Sequence, residues 1–283
     1  MNNIQVIKNT GLFLLAIILF YSCDKISAPY INSVNETTVS VEFPALDTSM
    51  VYRKILLEDY TGHQCGNCPA GHERLTELLG IYKDTLVAMA IHAGNFASTS
   101  NGLFATDFTT EIGNQWYSDF NIGVVPSALI NRVTYGNYIF VTVNNWQNAI
   151  NAVDRSKCVA AIQLIDQYSN NVLTSNAKVT ILDEISDPVK LSLVLVEDDI
   201  IAPQLTATDT VIEYVHNHVL RAGINGTYGS NLTEDGLVIK DSTYTKAFLL
   251  PWENQWIKEN CSIIAFLINA TTNEVLQVEK IDL

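Results

Sequence analysis

Cys65 and Cys68 are the residues whose type and spacing most directly promise chemistry, because a C-x-x-C pair can hold a disulfide and hand it to another thiol. If a helix begins at the second cysteine, its unpaired N–H groups and its dipole favour a thiolate on the first. That makes Cys65 the attacking sulfur and Cys68 the resolving one. The same pair could equally close a loop as an inert structural disulfide, so two readings stand at this point. His63 and His72 flank the cysteines in H-x-C-x2-C-x3-H, four soft or borderline ligands close enough in sequence to suggest copper or zinc. Helical spacing speaks against a metal, since it carries His72 a turn past Cys68 and away from the loop. Pro69, not a histidine, follows Cys68, which excludes the covalent haem motif, and nothing else calls for a cofactor.

The surrounding pattern supplies the elements that must position the pair. Tyr52–Tyr60 is a short apolar run, TGHQCGNCP reads as a turn, and Leu75, Leu78, Leu79 and Tyr82 recur at helical spacing. DTLVAMAIHAG is then a near-continuous apolar run of the kind expected for a parallel strand buried on both faces. The result is strand, turn, helix, strand with the cysteines at the first crossover. NWQNAINAVD adds a later helix.

This context resembles the thioredoxin-like proteins, and two more features carry the likeness. FNIGVVPSALINR looks like their loop and strand with a cis-proline facing the cysteines, which puts Pro126 in that role, and Asp59 lies six residues before Cys65, where they keep a buried acid. The resemblance implies that Asp59 exchanges a proton with the resolving thiol. Alternation sends only one of Glu58 and Asp59 inward, and an exposed Asp59 would do nothing. The chain departs from the usual pattern with Gly-Asn between the cysteines and Gln64 before them, changes that touch the partner surface and the reduction potential. LLEDYTGHQCGNCPAG, VVPSALINR and YVHNHVLRA together resemble the Omp28-related outer membrane proteins of Bacteroidetes. That resemblance implies an α/β thioredoxin-like domain followed by an all-β immunoglobulin-like sandwich, on an outer-membrane lipoprotein.

The N-terminus agrees in kind. Lys8 and the apolar run GLFLLAIILFYS form a secretory signal too short to span a bilayer, ending at Ser22-Cys23. Read as a lipoprotein signal over residues 1–22, it leaves Cys23 acylated and inserted in the membrane. A plain secretory signal with an incidental Cys23 is the alternative. Residues 23–48 read as a polar tether with one short alternating stretch, Val39–Phe43; residues 49–154 carry the cysteine pair.

Residues 155–283 change to strand-like periodicity in CVAAIQLID, NAKVTIL, VKLSLVLVED, TYTKAFLL, CSIIAFLIN and EVLQVEKID. The stretch from Asp198 to Gly236 reads as a long connection and a place for contacts, with His216 and His218 a structural pair. Cys158 and Cys261 fall at strand starts and could pair in an oxidising compartment, or stay free. With 48% hydrophobic and 16% charged residues, the 283-residue chain can bury a sizeable core. Its 16 Lys and Arg against 30 Asp and Glu give a net charge of −14 with no basic run, which excludes nucleic acid as a partner. The partners expected are the membrane, through Cys23, and the thiols or disulfides of envelope proteins.

Overall fold

A computed structural model describes residues 36–283. The signal, the acylation expected at Cys23 and the first half of the tether lie outside the described residues. The described residues form one compact unit. The alternating stretch Val39–Phe43 is not a strand; the short β1, Glu36–Thr37, precedes it and pairs with a strand near the C-terminus.

β2 (Ile55–Thr61) and β3 (Leu86–His92) are buried along their whole length, as their continuous apolar character requires, and they pair in parallel. The crossover between them is α1 (Cys68–Tyr82), whose inner face carries Leu75 and Leu78. α2 (Glu111–Asp119) is capped by the Thr110 side chain, which accepts from the Gly113 N–H; β4 (Ser127–Ile130) then returns antiparallel to β2, β5 (Phe140–Thr142) lies beside it, and α3 (Trp146–Ala152) closes this half. Ile55, Leu57, Ala128 and Ile130 face α1 and α3, while Leu56, Tyr60 and Leu129 face the opposite core with Trp116 of α2. Strand alternation thus sorts the two cores.

The remaining elements are strands: β6 (Ala160–Ser169), β7 (Val172–Ile181), β8 (Val189–Glu197), β9 (Ile200–Leu205), β10 (Thr210–His216), β11 (Val219–Gly223), β12 (Ser230–Asn231), β13 (Thr243–Pro251), β14 (Cys261–Asn269) and β15 (Val275–Asp282). They form a four-stranded sheet, β1-β13-β7-β6, and a separate β9–β10 hairpin, and they complete a nine-stranded sheet in the order β15-β14-β8-β11-β3-β2-β4-β5, with β12 on β8.

This topology corrects the expected fold class. The chain is not an α/β thioredoxin-like domain followed by a self-contained immunoglobulin-like sandwich: it holds far more strand than helix, with three short α-helices among the described residues, and one sheet runs through both halves. The junction is β11, parallel to β3 at Val219–Ala90 and antiparallel to β8. β11 meets the open edge of β3 at this one register position from more than a hundred residues away, with the His218 carbonyl accepting the Ala90 N–H at 2.7 Å. The nine strands curl, so Phe266 and Val278 of β14 and β15 share a core with Met89 and Leu129. Leu193, Ile263 and Leu267, on the other face, pack against Ile162, Val179 and Phe248 of the four-stranded sheet.

Candidate functional site

β2 delivers the chain to the cysteine turn through Gly62, whose absent Cβ would stand 2.4 Å from the Phe96 backbone; only glycine fits this approach. Cys65 and Cys68 are joined by a disulfide with Cα atoms 5.4 Å apart. Cys68 opens α1 with Pro69 in the first turn, where a missing N–H costs nothing. The Val125–Pro126 peptide is cis, and the Val125 carbonyl lies 4.0 Å from Cys65 Sγ. Pro126 rests on α1 at Gly71, where a Cβ would come within 3.0 Å of its ring. Strand end, helix start and loop therefore converge on the disulfide, and it is deeply set: Cys65 is 3% exposed and Cys68 0%.

Glu58 and Asp59 point to opposite faces of β2, yet both are fully buried. Glu58 accepts two hydrogen bonds from Arg132, at 2.7 and 2.8 Å, and the guanidinium also lies 4.9 Å from the Trp116 ring and 5.3 Å from Phe266. Asp59 has no such partner. Neither of its oxygens is hydrogen-bonded, and burial pushes its carboxyl up to about 8, so it is uncharged at neutral pH. The nearest ionisable contact is His72 Nε2, 3.9 Å away.

The four residues weighed as metal ligands do not converge. His63 turns into an aromatic cleft, its ring stacked 5.4 Å from Phe104 and tilted against Phe108, while Cys65 and Cys68 are bonded to each other. His72 lies away from the cysteine loop, as helical spacing suggests, and its ring faces inward. Its Nε2 is 2.9 Å from Thr61 Oγ1 and its Nδ1 2.8 Å from the Tyr214 hydroxyl. Burial lowers its imidazole to about 4, so the ring is neutral. Cys158 and Cys261 are free thiols, which corrects the bond considered between them. Cys158 is engaged by Gln277 Nε2 at 3.1 Å; Cys261 is buried in β14, where burial raises its thiol to about 12. The two starts belong to strands of different sheets, and nothing local draws the sulfurs together.

The stretch read as a long connection is largely ordered, and its first part covers the cysteine turn. The Leu205 N–H donates to the His63 carbonyl at 2.8 Å, and Gln204 Nε2 donates to the Cys65 carbonyl at 3.1 Å. Gly66 admits the Thr206 carbonyl where a Cβ would stand 3.0 Å away. The β9–β10 hairpin also brings Tyr214 to His72 and bounds a pocket of about 330 Å3 lined by His72, Glu73, His92, Tyr214, His216 and His218. Four of the five histidines of the chain therefore meet in one place, and the spacing of the sequence hints only at the pair 216 and 218. Each of those two has its own partner: His216 is buried with its Nε2 3.3 Å from the Ala202 carbonyl, and His218, at a φ of 60°, pairs with Asp198 at 3.0 Å.

Residues 113–283, more than half of the chain, match the family described as outer membrane protein Omp28. The chain belongs to that family. As a member of the Omp28 family it is an outer-membrane protein. Among curated proteins no relative matches it. Among solved structures it is similar to HBP35 of Porphyromonas gingivalis, with 18% identity, a TM-score of 0.60, and coverage of 82% of this chain and 76% of that one. A protein from Agrobacterium tumefaciens gives 12% identity, a TM-score of 0.50, and coverage of 82% and 95%. A domain of the outer membrane lipoprotein Omp28 from Porphyromonas gingivalis is 22% identical, covering 44% of this chain and 88% of that one, with a TM-score of 0.32. The first two likenesses speak to the fold alone. Cys65 and Cys68 precede the residues matched to the Omp28 family, so the chemistry of the pair rests on its own geometry. Among the described residues no helix is long and apolar enough to cross a membrane.

Proposed function

We propose that this Omp28 family member performs thiol–disulfide exchange on proteins of the cell envelope through Cys65 and Cys68, held at the membrane by an acylated Cys23. The observation that carries the reading is a three-residue disulfide at the start of α1, set against the Val125–Pro126 loop, with an uncharged acid buried in the strand that leads to it. A partner thiolate attacks Cys65, the S–S bond breaks, and the electron pair leaves on Cys68, which takes up a proton; the helix N-terminus favours the thiolate on Cys65, the attacking sulfur of the reverse path. A second partner thiolate then attacks the partner sulfur of the mixed disulfide, leaving the partner oxidised and the pair reduced. In the reverse direction Cys65 attacks a partner disulfide and Cys68 releases it. The reduction potential decides which direction dominates.

A second reading has its own support. Because both sulfurs are almost inaccessible, the pair could instead be a structural staple in a non-enzymatic surface or assembly protein. Equilibration in graded thiol buffers, read by alkylation mass shift at Cys65 and Cys68, separates the two. A potential between roughly −120 and −270 mV, with exchange lost in Cys65→Ser, supports the exchange reading. A potential below about −300 mV overturns it in favour of the staple.

A further inference from the structure

Cys68 is fully buried, with the Val125–Pro126 loop, α1 and the β9–β10 hairpin closing in on the disulfide, so the resolving sulfur has no direct contact with solvent from which to take its proton. A chain of polar groups lies on the other side. Asp59 and Thr61 share one face of β2, the face toward α1, and His72 lies one helical turn beyond Cys68 on that helix. The His72 ring stands between them and the hairpin, with Nε2 toward Asp59 Oδ2 and Thr61 Oγ1, and Nδ1 on the Tyr214 hydroxyl at 2.8 Å. Tyr214 borders the histidine-lined pocket.

We infer that His72 and Tyr214 form a proton relay between buried Asp59 and that pocket, so that Cys68 gains and loses its proton from the pocket side. The inference rests on the exchange reading above. On reduction, the incoming thiolate bonds to Cys65 and the S–S electron pair departs on Cys68. Asp59 gives its carboxyl proton to that sulfur and becomes a carboxylate. A proton from pocket water then adds to the Tyr214 oxygen as the hydroxyl proton passes to His72 Nδ1 and the Nε2 proton passes to Asp59. One proton has moved from the pocket to Cys68, and His72 has exchanged one neutral tautomer for the other. Oxidation runs the same transfers backwards and restores the first tautomer. The 3.9 Å gap between His72 Nε2 and Asp59 Oδ2 closes to hydrogen-bond length with a displacement of about 1 Å, within ordinary side-chain motion.

The surrounding groups suit this role. Burial keeps His72 neutral near 4, and burial also holds the Tyr214 hydroxyl up at about 12 with help from Glu73 and Asp59, so neither relay member stores a charge at neutral pH. The groups that face the relay are Glu73 from α1, His92 from β3, His216 from β10 and His218 just beyond it. Burial lowers His92 far below the ordinary imidazole range and His216 to about 4; both are neutral through the working range. His92 is 2% exposed and has no hydrogen-bond partner at either ring nitrogen, which leaves it free to bind the pocket water that feeds Tyr214.

The test is the rate at which dithiothreitol reduces the Cys65–Cys68 disulfide of the full chain between pH 5 and 9, in H2O and in D2O. Tyr214→Phe, which keeps the ring and removes one oxygen, should slow reduction about tenfold, flatten the pH profile and abolish the solvent isotope effect. His72→Ala should do the same and recover speed on addition of imidazole, which the pocket can admit; the unmodified protein should not respond to imidazole. If the wild-type disulfide exchanges and the Tyr214→Phe profile and isotope effect superimpose on it, the relay is wrong and the exchange reading survives. If the wild-type disulfide does not exchange at all, both fall.

Discussion

Replacing Asp59 by asparagine should reverse the advantage of the natural residue as the pH rises through neutrality. The carboxyl titrates near 3.8 in the unfolded chain and at about 8 in the folded protein, because burial without a partner disfavours its charge. Below pH 3.8 both states hold the proton and the group costs nothing. Between about 4 and 8 the unfolded chain has lost the proton and the folded one keeps it, so folding must take up a proton and stability falls by about 1.4 kcal/mol per pH step. Above 8 both states are ionised and the loss levels off at about 6 kcal/mol. Asparagine has the same shape and no titration, and its unpaired amide adds a penalty that does not depend on pH. His72, held near 4, stays neutral across the window and does not confuse the comparison. Urea unfolding of the oxidised wild type and Asp59→Asn at pH 5, 6, 7 and 8 should show the variant gaining on the wild type by about 4 kcal/mol over the series. Curves that stay parallel to within about 0.5 kcal/mol would show that Asp59 is not a neutral, unpartnered acid in the fold, and the relay would lose its inner end.

Two further substitutions probe the frame around the site. Glu58→Gln leaves the Arg132 guanidinium buried without its counter-charge and should cost about 3–5 kcal/mol in urea unfolding, whereas Glu58→Leu combined with Arg132→Met should recover most of that loss; a double variant no more stable than the single one would shift the weight to the Trp116, Phe120 and Phe266 contacts. Gln204→Ala removes the side-chain hydrogen bonds from the hairpin to the cysteine turn, at about 1 kcal/mol each. Dithiothreitol should then reduce the disulfide roughly tenfold faster, with the thermal midpoint falling by several degrees, and an unchanged rate would mean that the sulfurs are reached without moving the hairpin.

What could be read along the chain was what local spacing controls. Two cysteines three positions apart at a strand-to-helix crossover can bond whatever the rest of the molecule does, and they do. The apolar run that became β3, the helical spacing of α1 and the β-branched runs of β6, β7, β8, β13, β14 and β15 were likewise legible, because period and burial are properties of neighbouring residues. The Omp28 resemblance rested on short motifs of the same kind, and the family match agrees with it.

Only the tertiary structure decided which distant segment meets which. Nothing in residues 198–223 announces that its first strands fold over the cysteine turn or that β11 fills the open edge of β3, since edge pairing depends on backbone groups that every sequence carries. This pairing is why the expectation of two separate architectures failed: a continuous sheet costs less than two exposed edges. The inward turn of His72 followed from the same event, because Tyr214 arrives from 142 residues away to accept or donate at its Nδ1. His63 was captured by Phe104 and Phe108, and the sulfurs of Cys158 and Cys261 were assigned to separate surroundings, by packing that acts across the fold and leaves no period in the sequence. The sequence determined the chemistry available at the disulfide; the long-range strand pairings determined what covers it and where its proton can go.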